Sequence, residues 1–408
     1  MTIGTGSWMG AAALLMALLA GASPAARAQV SDGVVRIGVL NDQSGLFADL
    51  AGPGSVEAAR MAVADFGGTV LGRPIEVVAG DHQNRPDVGS ALARRWYDND
   101  GVDVVVDIPN SGVALAVQGV AREKRRLVIY SSAAASDLTG RACSPYGIQW
   151  TFDSYALARS TANAILRRGG KSWFFLTVDY ALGHTFERDA GAVVAEGGGR
   201  VAGSVRHPLN TTDFSSFLLQ AQSSGAQVLA FANAGGDLSS SIKQAAELGL
   251  FRRMAPTAIM AFLTDIHAIG LRTAQGLLLT ESFYWDMNDE ARAWSRRFFE
   301  RRQRMPTMPQ AGVYTATLHY LRAIEAAGTD DADRTAERMR ATPINDFMTR
   351  DGRIREDGRV LLEFHLFEVK KPEESTGPWD LYRMVATVPA ADAARPLAEG
   401  GCPLVRTD

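Results

Sequence analysis

Along most of this chain, short apolar runs rich in β-branched residues alternate with longer stretches whose apolar positions recur at helical spacing. Residues 34–40 (VVRIGVL), 75–79, 102–107 (VDVVVD) and 127–130 read as strands, the third of them buried. Residues 55–66, 87–98 and 114–123, which lie between them, read as helices. A second series repeats the alternation: helix 155–168, strand 172–178, helix 185–195, strand 200–205, helix 214–223, strand 228–232 and helix 238–248. Past Gly276 the pattern gives a strand at 277–279, helices over 291–304 and 314–327, and a strand-rich end that includes 360–369. Pro306, Pro309, Pro343 and the acidic cluster 330–333 mark loops between these elements. Strand–helix alternation predicts parallel sheets covered by helices, and its near-repetition predicts two similar α/β lobes.

The N-terminus departs from this pattern. Residues 9–21 (MGAAALLMALLAG) are apolar but too short to span a bilayer, and Ala26-Arg27-Ala28 supplies the small residues a signal peptidase needs before Gln29. An exported, periplasmic protein cleaved after Ala28 is expected, although Met1–Ser7 holds no Lys or Arg. No Cys stands near that site, which argues against a lipid anchor. The remaining chain has room for two domains, and with 46% hydrophobic residues it can fill their cores. A net charge of -3 gives no reason to expect a polyanion, so nucleic acid is not an expected partner. Cys143 and Cys402 are too far apart for a metal-type CxxC; in an oxidising compartment they either pair or remain two buried thiols.

In open parallel sheets, ligands bind beyond the carboxyl ends of the strands. The loops in that position are residues 41–54, 81–85, 108–112, 131–139, 179–183, 233–237 and 260–263. Asn110-Ser111-Gly112 precedes a helix, and Ser131, Ser132, Ala133, Ala134, Ala135 and Ser136 form a run of small residues. Both suit backbone and hydroxyl donation to a small carboxylate, and both equally suit helix caps and turns. Phe47, Tyr180, Met260, Phe262, Tyr284 and Trp285 are apolar candidates for the ligand body or for lobe core. Asp179, Asn233 and Asp237 lie at second-lobe strand ends, His82 follows the second strand, and Tyr155 stands where the second series begins.

Signs of catalysis are few. The six histidines show no HExxH or HxxxH spacing, and no GxSxG elbow is present. Gly169-Gly170-Lys171-Ser172 lacks the first Gly of a phosphate loop, with Ile165 in its place, and it precedes a strand. Gly52-Pro53-Gly54 opens a helix but has no third Gly. No enzyme, metal or cofactor is expected.

The order VRIGVLNDQSGLFADLAGPGSVEAARMAV, DIPNSGVALAV, LVIYSSAAASDLTG, TVDYALGH, NTTDFSSFLLQAQSSGAQVLAF and IKQAAELGL resembles the periplasmic solute-binding proteins of the Leu/Ile/Val-binding type, which feed ABC importers. CSPYGIQWTFDSYALA and TVDYALGH resemble the branch that binds aromatic acids. The resemblance implies two Rossmann-like lobes joined by three crossovers near residues 149–154, 282–286 and 344–347, with closure around a ligand. It divides the chain into a leader (1–28), a first lobe (29–150 and 286–345), a second lobe (151–285 and 346–390) and a tail (391–408). It also implies a monomer that docks on a permease of the inner membrane, and a Cys143–Cys402 disulfide; docking on a membrane sensor is the alternative.

Carried over position by position, the resemblance gives Ser111 the ligand carboxylate, Ala133 a backbone N–H contact, and Ala135 or Ser136 the position of a Thr hydroxyl. The residues that correspond to the family's ammonium-pairing acid, 256–263 (PTAIMAFL), contain no acid. Burying an ammonium without one is strongly disfavoured. A carboxylate without an amine, an aromatic acid above all, is therefore expected ahead of an amino acid or amide, for which Asp179 or Asp237 would have to supply the charge.

Overall fold

The computed structural model describes residues 1–4 and 29–406. The expected leader segments 9–21 and 26–28 lie outside them. The first sheet is built from β1 (Val35–Asn41), β2 (Thr69–Val70), β3 (Arg73–Asp81), β4 (Val104–Asp107), β5 (Leu127–Tyr130) and β6 (Gly147–Gln149). Their order is β2-β3-β1-β4-β5-β6, parallel except for the β2–β3 hairpin. Helices α1 (Gly52–Phe66), α2 (Pro86–Asp98) and α3 (Ser111–Lys124) cover its faces. The period-two geometry of a strand explains the all-apolar β4. Val104 and Val106 pack with Ala58, Met61 and other α1 residues, while Val105 packs with Trp96 and Val113 of α2 and α3. Gly38 lets α2 come close, because a Cβ there would lie 2.6 Å from the Trp96 ring.

The second sheet follows α4 (Ser154–Arg167). It contains β7 (Ser172–Val178), β8 (Arg200–His207), β9 (Val228–Ala232) and β10 (Ala255–Ala258), all parallel in the order β10-β9-β7-β8. Between and after these strands run α5 (Ala181–Glu196), α6 (Ser215–Ser223), α7 (Gly235–Glu247), α8 (Leu263–Ile269) and α9 (Leu271–Ala274). β11 (Leu278–Glu281) then starts a third, antiparallel sheet, which β14 (Phe364–Val369) and β15 (Tyr382–Val388) complete. Between these strands the chain returns to the first lobe as α10 (Asp289–Arg302), α11 (Met308–Ala327), α12 (Ala332–Ala341) and the hairpin of β12 (Arg353–Ile354) with β13 (Val360–Leu361). Arg359 of this hairpin is buried. It donates to the carbonyl of Gln149 (3.1 Å) and pairs with Asp153 (2.8 Å), pinning the first crossover.

Three differences from the sequence expectations have local causes. Residues 344–347 are not a crossover. Phe347 stacks on Trp294 (centroids 5.0 Å apart) and Tyr314 (5.7 Å), which holds the segment on α10 and α11, and the third passage falls between Leu361 and Phe364. Pro309 lies inside the first turn of α11, where its missing N–H costs nothing, and Thr307 with Gln310 forms the capping box. The acidic cluster 330–333 begins a helix, because Asp331 caps α12 by accepting from the Arg334 N–H (3.1 Å). Cys143 and Cys402 form the disulfide, tying the C-terminal tail to the loop before β6.

Candidate functional site

The carboxyl ends of the first sheet carry four loops that hold one another in place. After β1, Asp42 accepts from the N–H groups of Gly45 (2.7 Å) and Phe47 (2.8 Å), which shapes residues 42–47 and buries the Phe47 ring. After β4 the backbone is strained: Asp107 and Ile108 both have positive φ, +87° and +56°, unusual for any side chain and most of all for β-branched Ile. The Asp107 carboxyl is fully buried. It accepts from Asn41 Nδ2 (2.7 Å) and from the Ser132 hydroxyl, and burial pushes its pKa up to about 6. Asn110 then caps α3 through Oδ1, which accepts from the N–H groups of Gly112 (2.9 Å) and Val113 (3.1 Å). That turn leaves the buried Ser111 as the first residue of the helix.

Residues 131–136 face this helix start, and their carbonyls are held from behind. Thr151 donates to Ser131 O, Gln149 Nε2 to Ala133 O (2.9 Å) and the Ser154 N–H to Ala134 O (2.6 Å). The Ala135 N–H donates to Ser111 Oγ (3.2 Å), and the Ser136 N–H to Ser154 Oγ (3.2 Å). Ala133 and Ala134 are buried, and their N–H groups have no partner among the described residues. Buried backbone donors are nearly always paired, so these two adjacent free ones, beside a serine hydroxyl and a helix N-terminus, are the candidate donors to an acceptor. After β3, His82 holds another unpartnered donor. Its Nδ1 accepts from the Asn84 N–H (3.0 Å), which puts the proton on Nε2, buried and without a partner. Burial lowers its pKa to about 4, so the ring is neutral at pH 7.

The second lobe comes up to these loops from the other side. Gly235 opens α7 at φ +60°, and a Cβ there would lie 2.6 Å from the carbonyl oxygen of Leu46 and 3.0 Å from the Phe47 ring. Phe152 and Phe262 meet with ring centroids 5.6 Å apart. Tyr180 stands at the N-cap of α5, its hydroxyl buried without a partner and held protonated by burial. Met260 is buried in the core cluster that also holds Phe152 and Phe262.

Other expected site residues have their side chains engaged elsewhere. Asp179 is exposed and pairs with His184 (2.8 Å) and Arg206 (3.7 Å) on the surface. Tyr155 lies on the first turn of α4 with the Arg159 guanidinium over its ring, 5.8 Å from the centroid. Asn233 fastens β9 to its neighbours, its Nδ2 lying 3.2 Å from both His207 Nε2 and Ser241 Oγ. Ser132 is tied to Asp107, Ser136 to Asp189 and Asn110 to its own helix. Residues 256–263 do lack an acid, but buried Asp265 follows two residues on, where it caps α8 by accepting from the Phe262 N–H (2.9 Å). Sequence reasoning passed over Asn41, Asp107, Arg188 and Asp189, because the contacts that join them to other loops (Asn41–Asp107, Ser132–Asp107, Arg188–Asp137, Ser136–Asp189) span 25 to 66 residues and no local pattern marks them.

Among the described residues, no helix is long and apolar enough to cross a membrane and no cluster of His, Cys, Asp or Glu could hold a metal ion. The model of the periplasmic binding protein family matches residues 34–377. A periplasmic binding protein of Burkholderia mallei is 46% identical, covering 92% of this chain and 100% of its own, with a TM-score of 0.90. A branched-chain amino acid ABC transporter periplasmic ligand-binding protein from Burkholderia xenovorans is 39% identical over 91% of this chain and 99% of its own (TM-score 0.81). A solute-binding protein of an ABC transporter from R. palustris, solved with benzoate, shares the fold at 21% identity, 87% and 96% coverage and a TM-score of 0.78. The two parallel-sheet lobes, the facing loops at their strand ends and these likenesses together place the chain in the periplasmic binding protein family, as a solute-binding receptor of ABC transporters.

Proposed function

We propose that this protein captures a small carboxylate, preferably an aromatic acid, between its closing lobes and delivers it chemically unchanged to an inner-membrane permease. The observation that carries this reading is the pair of buried, unpartnered N–H groups of Ala133 and Ala134 beside Ser111. They would receive the carboxylate, with the neutral His82 as a further donor and Phe47, Tyr180 and Met260 against the ligand body. A donor-rich site suits an anion, and the benzoate-bound R. palustris protein supports an aromatic one. The reading includes a cleaved leader (residues 1–28), periplasmic localisation, a monomer and the lobe division 29–150 with 286–345 against 151–285 with 346–390, amended at the third passage. A branched-chain amino acid is the second reading, favoured by the name of the B. xenovorans relative and by Asp237, a buried carboxyl close to Tyr180.

The test is a thermal-shift screen of the mature protein against benzoate, hydroxybenzoates, aliphatic acids, leucine and amides. A ligand at ~100 times its Kd adds about 2.7 kcal/mol to stability, enough to raise the midpoint measurably. A shift with aromatic acids alone supports the first reading. A shift with leucine alone replaces it with the second.

A further inference from the structure

The loop that offers the two amides is also where the second lobe grips the first. Ser136 Oγ donates to Asp189 Oδ2 (2.9 Å) and accepts from Arg188 Nη2 (2.7 Å). Arg188 Nη1 reaches Asp137 Oδ1 (3.1 Å), and its Nε holds Asp189 Oδ1 (2.8 Å). Ser136 and Asp137 lie between β5 and β6 of the first lobe, whereas Arg188 and Asp189 lie on α5 of the second. Asp189 also accepts from Ser154 Oγ (2.6 Å), at the start of α4, which packs on α5. Arg395 of the C-terminal tail adds a bond to the Ser136 carbonyl (3.0 Å).

We infer that Arg188 and Asp189 are positioning residues for ligand capture: by clasping Ser136 and Asp137 they hold the lobes closed and fix the loop whose amides face the ligand. Both hydrogen-bonding roles of the Ser136 hydroxyl are taken up by this clasp. When the lobes part, Asp189 keeps Ser154 and Arg188 but loses Ser136, and Arg188 loses Asp137. The Asp189 side chain is only 6% exposed and that of Asp137 11%, while Arg188 is 46% exposed, so the bonds at stake are charge-assisted and shielded from water on their carboxylate side. Closure is thereby registered two residues along the chain from the Ala134 amide. The inference rests on the proposed reading only in naming that loop as the ligand's; the clasp itself is a contact between lobes.

The experiment compares wild type with Arg188→Ala, Asp137→Asn and Ser136→Ala by small-angle scattering without ligand and by stopped-flow release of benzoate. Each variant is expected to have a larger ligand-free radius of gyration and to release benzoate about tenfold faster, with its association rate little changed. Arg188→Lys should recover part of the loss, and the Arg188→Ala/Asp137→Asn pair should be no worse than the worse single change. Thermal midpoints near wild type would show that the variants fold. An unchanged radius and an unchanged release rate overturn the inference. If benzoate binds to none of the proteins, it is the ligand reading that fails, and the scattering alone then decides the clasp.

Discussion

At the scale of single residues, Ser111 occupies an unusual position. It is the first residue of α3, is fully buried, and shares its hydroxyl with only one amide of the facing loop, that of Ala135. Ser111→Ala should weaken ligand binding by about 1–3 kcal/mol through loss of a charge-assisted bond, with the change read by calorimetry on benzoate. Unchanged affinity would move the carboxylate elsewhere. Ser111 and Ala133 were singled out by the family resemblance, since by local pattern small residues between a strand and a helix suit caps and turns as well as a ligand. The engagement of Ser132 and Ser136 was not legible, because the carboxylates that take up their hydroxyls, Asp107 and Asp189, are 25 and 53 residues away.

At the scale of elements, the start of α7 decides how closely the lobes approach. Gly235 has φ +60° and would bring a Cβ to 2.6 Å from the Leu46 carbonyl across the cleft. Gly235→Ala should therefore prop the lobes apart. The left-handed backbone adds about 1–2 kcal/mol of strain, but ligand affinity should fall further than stability does, as separate urea unfolding and binding titrations would show. A variant that loses stability while its affinity holds would place this contact outside the closing motion. Most helices and strands were readable from periodicity. Those missed were the strands β2, β6, β10 and β12 and the helices α8 and α9, all too short for a clear period, together with α12 behind its acidic cap.

At the scale of the whole molecule, two devices set stability. The Cys143–Cys402 bond, between residues 259 apart in sequence, adds a covalent tie to a tail that Arg395 also bonds to the Ser136 carbonyl. Replacing both cysteines with serine should cost about 2–4 kcal/mol in denaturant unfolding, while equal stability with and without the bond would show that the tail is held by packing alone. Buried carboxyls are the second device. Burial raises Asp107, Asp237 and Asp346 to about 6 and Asp103 and Asp265 to about 7. Their unfolded values lie near 3.9, so each holds its proton more tightly in the folded chain. This contribution is fully present below about pH 4 and is lost as pH rises through 6 to 7. His82 acts the other way: its pKa falls from 6.5 to about 4, so its contribution is lost as pH drops across that interval. Burial also lowers His207, His267, His319 and His365, but an unfolded histidine is neutral above about pH 6.5, so the calorimetric unfolding midpoint should fall from about pH 6.5 to pH 8, where Asp103 and Asp265 still titrate, and Asp265→Asn should lessen that fall. A midpoint that rises over this range would mean that these carboxyls are ionised and paired in the native protein.

The sequence by itself determined the fold class, because alternating strand and helix periods leave few topologies once parallel pairing and right-handed crossovers are required. It also determined which loops stand at the carboxyl ends of the parallel strands, since those follow from chain direction. Only the tertiary structure decided which polar side chains in those loops are free. Each hydrogen bond formed between distant segments removes a candidate, and each bond left unmade, as at the Ala133 and Ala134 amides, creates one. The third crossover was decided in the same way: Phe347 found its partners on Trp294 and Tyr314, a contact that no local pattern encodes.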